Sequence, residues 1–432
     1  MVKAARHNAY HSETWDSATL LWSKLQDKMR RLSSITSVYG ESTLECVLRS
    51  HPGVTNKVTS SIFDIRPVPS SSDNFLPPLT KEGHVKVETV ALSVDPYMRC
   101  MLDPLHPQLG EYLSPMELGQ PLHGGGVGLV IESLHDNFPV GSLAVAPFLG
   151  YPWRTRATLD ATDEHLNLRP VTFEQRPTLD LGAMGMPGVT SWFCMLAQDQ
   201  GNPQPGETVV ISGAAGACGS LAGQLAKIKG GARVVGVCGS DTKCDLLTSS
   251  LNFDGAVNYN SPTFRHDLHE QCPDGIDVYM DNVGGSVSEV ALSLMNDHGR
   301  VPICGQISAY DDDVKYLDMV SEEGVRNVKL RNQLREKNVV RKRFLVLDYA
   351  SKWEDALNEL GGLIASGDII IPETFDIGFD PGGAFVSMMN GGNFGKACNV
   401  VHPDFVLGGK RWVGAEGANG MKHRRNSTVW KW

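Results

Sequence analysis

The fold of this 432-residue chain is decided by the stretch Val209-Val210-Ile211-Ser212-Gly213-Ala214-Ala215-Gly216-Ala217-Cys218-Gly219. It reads as a buried strand that runs into the pattern A-x-G-x-x-G and then into a helix. In such a turn, Gly216 lets the backbone approach a pyrophosphate and Gly219 lets the helix pack closely on the strand. An ordinary strand–helix turn is the alternative interpretation. The strand before the glycines and the helix after them favour a dinucleotide-binding loop, whose free N–H groups face the anion.

Strand-like and helical segments alternate from this loop onward. The predicted strands are 209–212, 233–238, 256–259, 276–281 and 301–307, and helices are predicted to begin near residues 216, 241, 264 and 286. This alternation predicts an α/β fold with a Rossmann doubly wound parallel sheet, which we assign to residues 189–345. The charged stretch 311–343 is expected to form a loop or a mobile helix, followed by a strand at 344–347 and a helix at 353–365.

The part before this sheet has a different pattern. Short β-rich runs at 85–94, 126–132 and 142–147 are separated by turns rich in proline and glycine, which predicts a rolled antiparallel domain over residues 42–188. The late segment 346–403 is expected to return to that domain, which would then be discontinuous. Residues 1–41 and the basic tail 404–432 are expected to be flexible appendages.

Composition limits the possible partners. The net charge is −10 and both ends of the chain are basic, so the middle is strongly acidic and predicts no nucleic-acid binding. No run of about 18 apolar residues occurs, which predicts no membrane span. The nine cysteines include no C-x-x-C pair and are typical of reduced thiols, so we expect a cytoplasmic protein.

The residues after the second strand of the sheet indicate the cofactor. An enzyme that uses NAD would present an acidic residue there to the ribose 2′-hydroxyl. This chain has Gly239-Ser240 and then Lys243, which would accept a 2′-phosphate and therefore predict NADPH. Lys243 as a merely solvated helix residue is the alternative.

No convincing metal ligands are visible. A catalytic zinc needs about three ligands, but Cys100 has no neighbouring histidine and His123 is followed by three glycines. His266 and His269 lie three apart on a predicted helix, which an exposed helix face explains more simply. Without zinc, simple alcohol dehydrogenation is disfavoured. Reduction of an activated alkene needs only a hydride donor and a group that stabilises the developing enolate.

Tyrosine suits that second role, because its phenol donates a hydrogen bond while it stays protonated at neutral pH. Tyr310 follows a predicted Rossmann strand, where substrates meet a nicotinamide. Tyr97 follows a strand of the first domain, and Tyr112 lies in the next loop. Each could instead be a packed aromatic residue whose hydroxyl reaches water.

Five segments together resemble the leukotriene B4 dehydrogenase-like reductases of the medium-chain dehydrogenase/reductase superfamily. They are Ser-Val-Asp-Pro-Tyr-Met-Arg at 93–99, Gly-Met-Pro-Gly-Val-Thr-Ser at 185–191, the glycine loop at 213–220, Asp-Asn-Val-Gly-Gly at 281–285 and the segment 304–310. The resemblance covers residues 44 to 402. It implies a Rossmann domain beside a discontinuous, GroES-like antiparallel β-rich domain. It also implies an enzyme that uses NADPH and no metal to reduce the 13,14 double bond of 15-oxoprostaglandins.

The resemblance further implies individual site residues. The cofactor contacts would be Gly216, Ala217, Cys218, Gly219, Lys243 at the 2′-phosphate, Tyr259, Asn282, Cys304, Gly305, Gln306, Ile307, Ser308, Ala309, Tyr310, Phe344, Leu345, Val346 and Asn393. Tyr310 and Tyr112 would act on the substrate, with Tyr97, Phe148, Gly150 and Tyr151 as further substrate contacts. A short insertion near Phe148 leaves the register of the contact at residues 148–151 open.

Other functions remain compatible with the sequence. A broad alkenal or leukotriene-type reductase, or a quinone reductase, would share the loop and differ in the substrate pocket. A non-catalytic NADPH-binding protein belongs to a different class, and the tyrosines beside a complete phosphate loop argue against it. The expected partner is a small enone or lipid substrate, and the chain is expected to be a monomer or a homodimer.

Overall fold

The computed structural model describes residues 42–68, 78–109, 113–315, 318, 320–406 and 427–429. Its first part is built from β-structure with one short helix. The strands are β1 (Leu44–Leu48), β2 (Phe63–Pro67), β3 (His84–Ser93), β4 (His123–Ser133), β5 (Leu143–Pro152), β6 (Arg156–Asp160) and β7 (Arg169–Pro170), and the helix is α1 (Met98–Met101). β3, β4, β5 and β7 lie side by side and antiparallel, β6 pairs with β3, and β1 pairs with β2. Since residues 85–93 of β3 are all buried, this strand forms the core of the first domain.

The middle of the chain forms a six-stranded parallel sheet. Its strands are β8 (Thr208–Ser212), β9 (Arg233–Cys238), β10 (Gly255–Asn258), β11 (Ile276–Met280), β12 (Met295–Ile303) and β13 (Val340–Arg343). The helices of this part are α2 (Met186–Leu196), α3 (Ala217–Gly230), α4 (Asp241–Leu251), α5 (Phe264–Gln271), α6 (Gly285–Leu292) and α7 (Val328–Glu336). The strand order is β10-β9-β8-β11-β12-β13, so the order reverses between β8 and β11. A crevice at that reversal is where such sheets bind their ligands.

Both faces of the parallel sheet are covered. Val209 and Ile211 pack into the apolar cluster on one face, whereas Val210 packs into the cluster on the other. All five residues of β8 are buried. The continuous apolar run that predicted this strand therefore reflects burial on two sides.

The last part of the chain returns to the first sheet. It contains α8 (Trp353–Ser366), β14 (Glu373–Ile377), α9 (Pro381–Met389), β15 (Lys396–Val400) and α10 (Pro403–Val406). β15 pairs antiparallel with β3 and parallel with β14. The predicted fold class, a Rossmann sheet beside a separate antiparallel β-rich domain, is confirmed. No helix of the described residues has the length and apolar character needed to cross a membrane.

The local structure departs from the expectations at three places. The charged stretch 311–343 contains α7 and the edge strand β13, which pairs with β12 on one side only and so needs no apolar run. Residues 344–347 form no strand, because a 3-10 helix at Val346–Lys352 begins there. Part of the basic tail is also paired: β16 (Ser427–Val429) lies antiparallel to β14. Residues 1–41 lie outside the described residues.

Candidate active site

The glycine loop forms the turn that the sequence predicts. Gly213 has a φ of +61°, and its carbonyl accepts a hydrogen bond of 2.9 Å from the amide of Gly216. A Cβ on Gly219 would lie 2.4 Å from the same carbonyl oxygen, so only glycine fits there. Helix α3 begins after Gly216 without any side-chain cap and without an acidic residue in its first turn. Its first N–H groups are thus available to an anion such as a pyrophosphate.

A second corner lies where β9 meets α4. Ser240 caps α4, since its hydroxyl accepts a hydrogen bond of 3.3 Å from the amide of Lys243. The ammonium of Lys243 donates to the carbonyl of Gly391 at 2.8 Å, and burial lowers the pKa of Lys243. The hydroxyl of Tyr259 covers Gly239, where a Cβ would lie 2.8 Å from it. This corner therefore combines a cation, two hydroxyls and a helix N-terminus, which suits a phosphate.

One carboxylate near this corner belongs to Asp241. Its Oδ1 accepts a hydrogen bond of 2.8 Å from the side-chain amide of Asn258. Asp241 is the first residue of α4 rather than the last residue of β9. It therefore does not occupy the strand-end position from which an acidic residue would bind a ribose 2′-hydroxyl.

A buried acid, Asp281, organises the backbone where β8 and β11 lie side by side, at the reversal of strand order. Asp281 is 1% exposed, and its Oδ1 accepts hydrogen bonds from the hydroxyl of Ser288 at 2.8 Å and the amide of Gly284 at 2.9 Å. Asn282 donates from its side chain to the carbonyl of Ser212 at 2.8 Å. Asn282 is thereby fixed at the reversal of strand order, as a cofactor contact there requires. Asp281 was not among the predicted site residues, although a single acid between a buried strand and Asn-Val-Gly-Gly was a usable signal.

The segment 304–310 follows β12 and contacts Asp281. The amides of Cys304 and Gly305 donate to the carbonyl of Asp281 at 2.9 and 3.1 Å. A 3-10 turn at Ile307–Ala309 then brings Tyr310 back over Gly305, where a Cβ would lie 3.5 Å from the tyrosine hydroxyl. The side-chain amide of Gln306 donates to Asp281 at 3.2 Å. Tyr310 thus presents its hydroxyl at the carboxyl end of the parallel sheet.

Three residues of the first domain clasp this segment, and sequence reasoning missed all of them. His106 donates from Nε2 to the carbonyl of Tyr310 at 2.9 Å, and Gln108 donates to the carbonyl of Ala309 at 2.7 Å. Arg99 is wholly buried and forms an ion pair of 2.8 Å with Asp311. Burial lowers the pKa of His106, which favours the neutral ring. We call Arg99, His106 and Gln108 with their three partners the domain clasp. No local pattern in the sequence marks these contacts, because they join segments that are distant in the chain.

The predicted substrate contacts of the first domain separate into two groups. Tyr97 donates from its hydroxyl to the carbonyl of Phe148 at 3.1 Å, and the two rings lie 5.1 Å apart. Gly150 is exposed, with a φ of +86°. Tyr151 does not fit its predicted role, because it is 0% exposed and its hydroxyl is hydrogen-bonded to Thr89 at 3.0 Å. Tyr112 lies outside the described residues.

The remaining predicted cofactor residues lie in two places, beside the glycine loop and beside β12. Asn393 donates to the carbonyl of Gly395 at 2.8 Å, and the amide of Gly395 donates to the carbonyl of Ala215 at 2.8 Å. The Cys218 thiol, within the loop, contacts the Cys304 thiol. Beside β12, the amide of Phe344 donates to the carbonyl of Ile303 at 3.0 Å, which places Phe344, Leu345 and Val346 next to the segment 304–310. These contacts place Asn393 beside the glycine loop and Phe344 beside β12.

Within the described residues, no group of three or more histidine, cysteine or acidic side chains is arranged to hold a metal ion. Burial raises the pKa of Cys100 to about 12 and lowers the pKa of His123.

Comparisons with known proteins agree with this geometry. Two family models match: the N-terminal domain of oxidoreductase over residues 71–166 and zinc-binding dehydrogenase over residues 217–340. The chain is 35% identical to prostaglandin reductase 1 of Bos taurus, over 78% of this chain and 94% of the relative. It is 33% identical to the NADPH-dependent curcumin reductase of Escherichia coli (strain K12), over 73% and 87%.

A solved structure shows the same arrangement. The crystal structure of CurA in complex with NADPH from Vibrio vulnificus superposes with a TM-score of 0.70 at 30% identity, covering 83% of this chain and 99% of that one. The sequence similarity extends over most of each relative, so it includes both the β-rich domain and the Rossmann sheet. The chain belongs to the zinc-independent medium-chain dehydrogenase/reductase superfamily, among its NADPH-dependent double-bond reductases.

Proposed function

We propose that this protein reduces the 13,14 double bond of 15-oxoprostaglandins, giving 13,14-dihydro-15-oxoprostaglandins. The observation that carries the proposal is the position of Tyr310, whose hydroxyl lies beside Gly305 at the carboxyl end of the parallel sheet. The choice of substrate is supported by the similarity to prostaglandin reductase 1 and by the segments 216–219, 277–279 and 344–347, which resemble prostaglandin reductase 2.

NADPH would supply the hydride, and the chain would supply its binding and orientation. The N-terminus of α3 would hold the pyrophosphate, and Lys243 with Ser240 would hold the 2′-phosphate. Asn282, fixed on Ser212, and the segment 304–310 would line the nicotinamide end of the crevice.

Charge development explains the role of the tyrosine. Hydride addition at the β-carbon of an enone moves negative charge onto the carbonyl oxygen. A phenol that donates a hydrogen bond to that oxygen binds the transition state more strongly than the substrate, and this difference is what accelerates the step. Tyr310 follows β12, at the carboxyl end of the parallel sheet. We further propose that Tyr112 assists it and that Tyr97, Phe148 and Gly150 contact the substrate chain.

The test is steady-state kinetics with NADPH and four substrates: 15-oxoprostaglandin E2, a short alkenal, curcumin and a quinone. We expect the highest kcat/KM for the 15-oxoprostaglandin, with one NADPH consumed per product and a product that has gained two hydrogens while keeping its ketone. Activity should survive exhaustive chelation. Binding of NADPH without turnover of any enone would contradict the proposal. A higher kcat/KM for the alkenal or the quinone would show that the 15-oxoprostaglandin is not the preferred substrate.

A further inference from the structure

Two cysteines enclose the corner assigned to the 2′-phosphate. Cys238 is the last residue of β9 and Cys244 lies in the first turn of α4. Their sulfur atoms are 3.3 Å apart, and both thiols are free. A disulfide bond is about 2.05 Å long, so the two sulfurs need to approach by only about 1.3 Å.

The surroundings of the pair favour oxidation. Cys244 is half-buried and reaches solvent, whereas Cys238 is 2% exposed. The hydrogen bond from Cys244 lowers the pKa of the Cys238 thiol, and the Lys243 ammonium lowers it further. In contrast, burial raises the pKa of Cys46 and Cys272 to about 12. The same hydrogen bond between the two thiols raises the pKa of Cys244, so the thiolate forms on Cys238. Since the thiolate is the form that reacts, Cys238 differs from those isolated buried thiols.

We propose that Cys238 and Cys244 form a reversible disulfide that weakens the binding of NADPH. A hydroperoxide is the oxidant: one thiolate attacks its terminal oxygen, the O–O bond breaks, and a sulfenic acid forms with release of an alcohol or water. The second thiol then attacks that sulfur, the S–O bond breaks and water leaves. Overall the two thiols lose two electrons and two protons, and the hydroperoxide is reduced.

The link to the cofactor follows from the position of the crosslink. Gly239, Ser240 and Lys243 all lie between the two cysteines in the sequence. Ser240 is held by the amide of Lys243, so a movement of the first turn of α4 toward β9 displaces both groups. Affinity for NADPH should therefore fall while affinity for NADH changes little. This effect rests on the proposed 2′-phosphate contact of Lys243, whereas formation of the disulfide does not.

The first experiment maps the crosslink. The full-length protein is treated with graded hydrogen peroxide, its remaining thiols are alkylated, and its peptides are analysed by mass spectrometry with and without a reductant. We expect a peptide pair joined through residues 238 and 244, two mass units lighter than the dithiol form and abolished by reduction. Cys244→Ser should prevent it, while the matched variant Cys272→Ser, which removes a buried thiol elsewhere, should not.

The second experiment measures binding rather than turnover, so it remains informative even if the enzyme reduces a different enone. NADPH and NADH are titrated against reduced and oxidised protein. We expect the Kd for NADPH to rise about fivefold or more on oxidation and to return after reduction, with saturating NADPH slowing the crosslink. The proposal is overturned if no crosslink between residues 238 and 244 forms, or if the oxidised protein binds NADPH as tightly as the reduced protein.

Discussion

The hydroxyl of Tyr310 lies beside Gly305, and the backbone carbonyl of Tyr310 accepts a hydrogen bond from His106. Tyr310→Phe keeps the ring and deletes the donor, so we expect kcat to fall roughly 100-fold, as when one oxyanion donor is removed. NADPH affinity and thermal stability should stay near normal. The matched control is Tyr349→Phe, which removes a hydroxyl bound to Asp199 and should keep full turnover. Full turnover of Tyr310→Phe on every enone tried would show that this hydroxyl is not part of the chemistry.

A substitution of Lys243 tests the assignment of NADPH as the cofactor. Loss of an ion pair with the 2′-phosphate, about 1–2 kcal/mol, should raise the KM for NADPH about 5- to 30-fold in Lys243→Ala. The KM for NADH should hardly change, because NADH lacks that phosphate. Lys229→Ala is the control, since Lys229 pairs with Glu359 on the surface. Equal loss for both cofactors would assign Lys243 a structural role through Gly391 instead.

Helix α8 offers a test that does not depend on function. Gly362 lies within this helix, and a Cβ there would meet nothing within 4 Å. Gly362→Ala should therefore raise the free energy of unfolding by about 0.5–1 kcal/mol. Gly367 also has open space but a φ of +78°, so Gly367→Ala should lower it by about 1 kcal/mol. Urea unfolding of both variants measures the difference, and a shift in the same direction for both would contradict the structure.

The elements also show what sequence could reveal. β8 was predictable because burial on two faces makes it continuously apolar, and the loop after it because close approaches demand glycine. β13 was missed because its sequence, Val-Arg-Lys-Arg, lacks the alternation of apolar and polar residues that identifies a strand with one buried face. Residues 344–347 are apolar because Phe344 packs against Tyr349 across a 3-10 turn, which a short apolar run cannot distinguish from a strand. The domain clasp depends on contacts between distant segments, and no local pattern encodes it.

The stability of the whole molecule should depend on His402. Its side chain is 4% exposed, and burial lowers its pKa from 6.5 to about 4. Between these values the unfolded chain binds a proton that the folded chain does not, so stability is full above pH 6.5 and falls as the pH drops toward 4. The loss is of the order of 3 kcal/mol at most.

His402→Phe removes the titrating group and keeps a ring against Phe405. Denaturant unfolding at about pH 7 and about pH 5 should show a smaller loss of stability in this variant than in the unmodified protein. Glu88 lies 3.9 Å from the imidazole and is present in both proteins. The test is therefore the difference between the two proteins in how the free energy of unfolding changes with pH. Parallel curves would mean that His402 does not titrate in this range.

The domain clasp makes the two halves of the molecule unsuitable as interchangeable modules. A chimaera that joined the β-rich half of a relative to this nucleotide-binding half would retain every cofactor contact of the Rossmann sheet. Where that relative has other side chains at positions 99, 106 and 108, the backbone of segment 309–311 would lose these contacts. Such a hybrid should bind NADPH and turn over poorly. In laboratory recombination between relatives, residues 99–108 and residues 305–311 therefore have to come from the same parent protein.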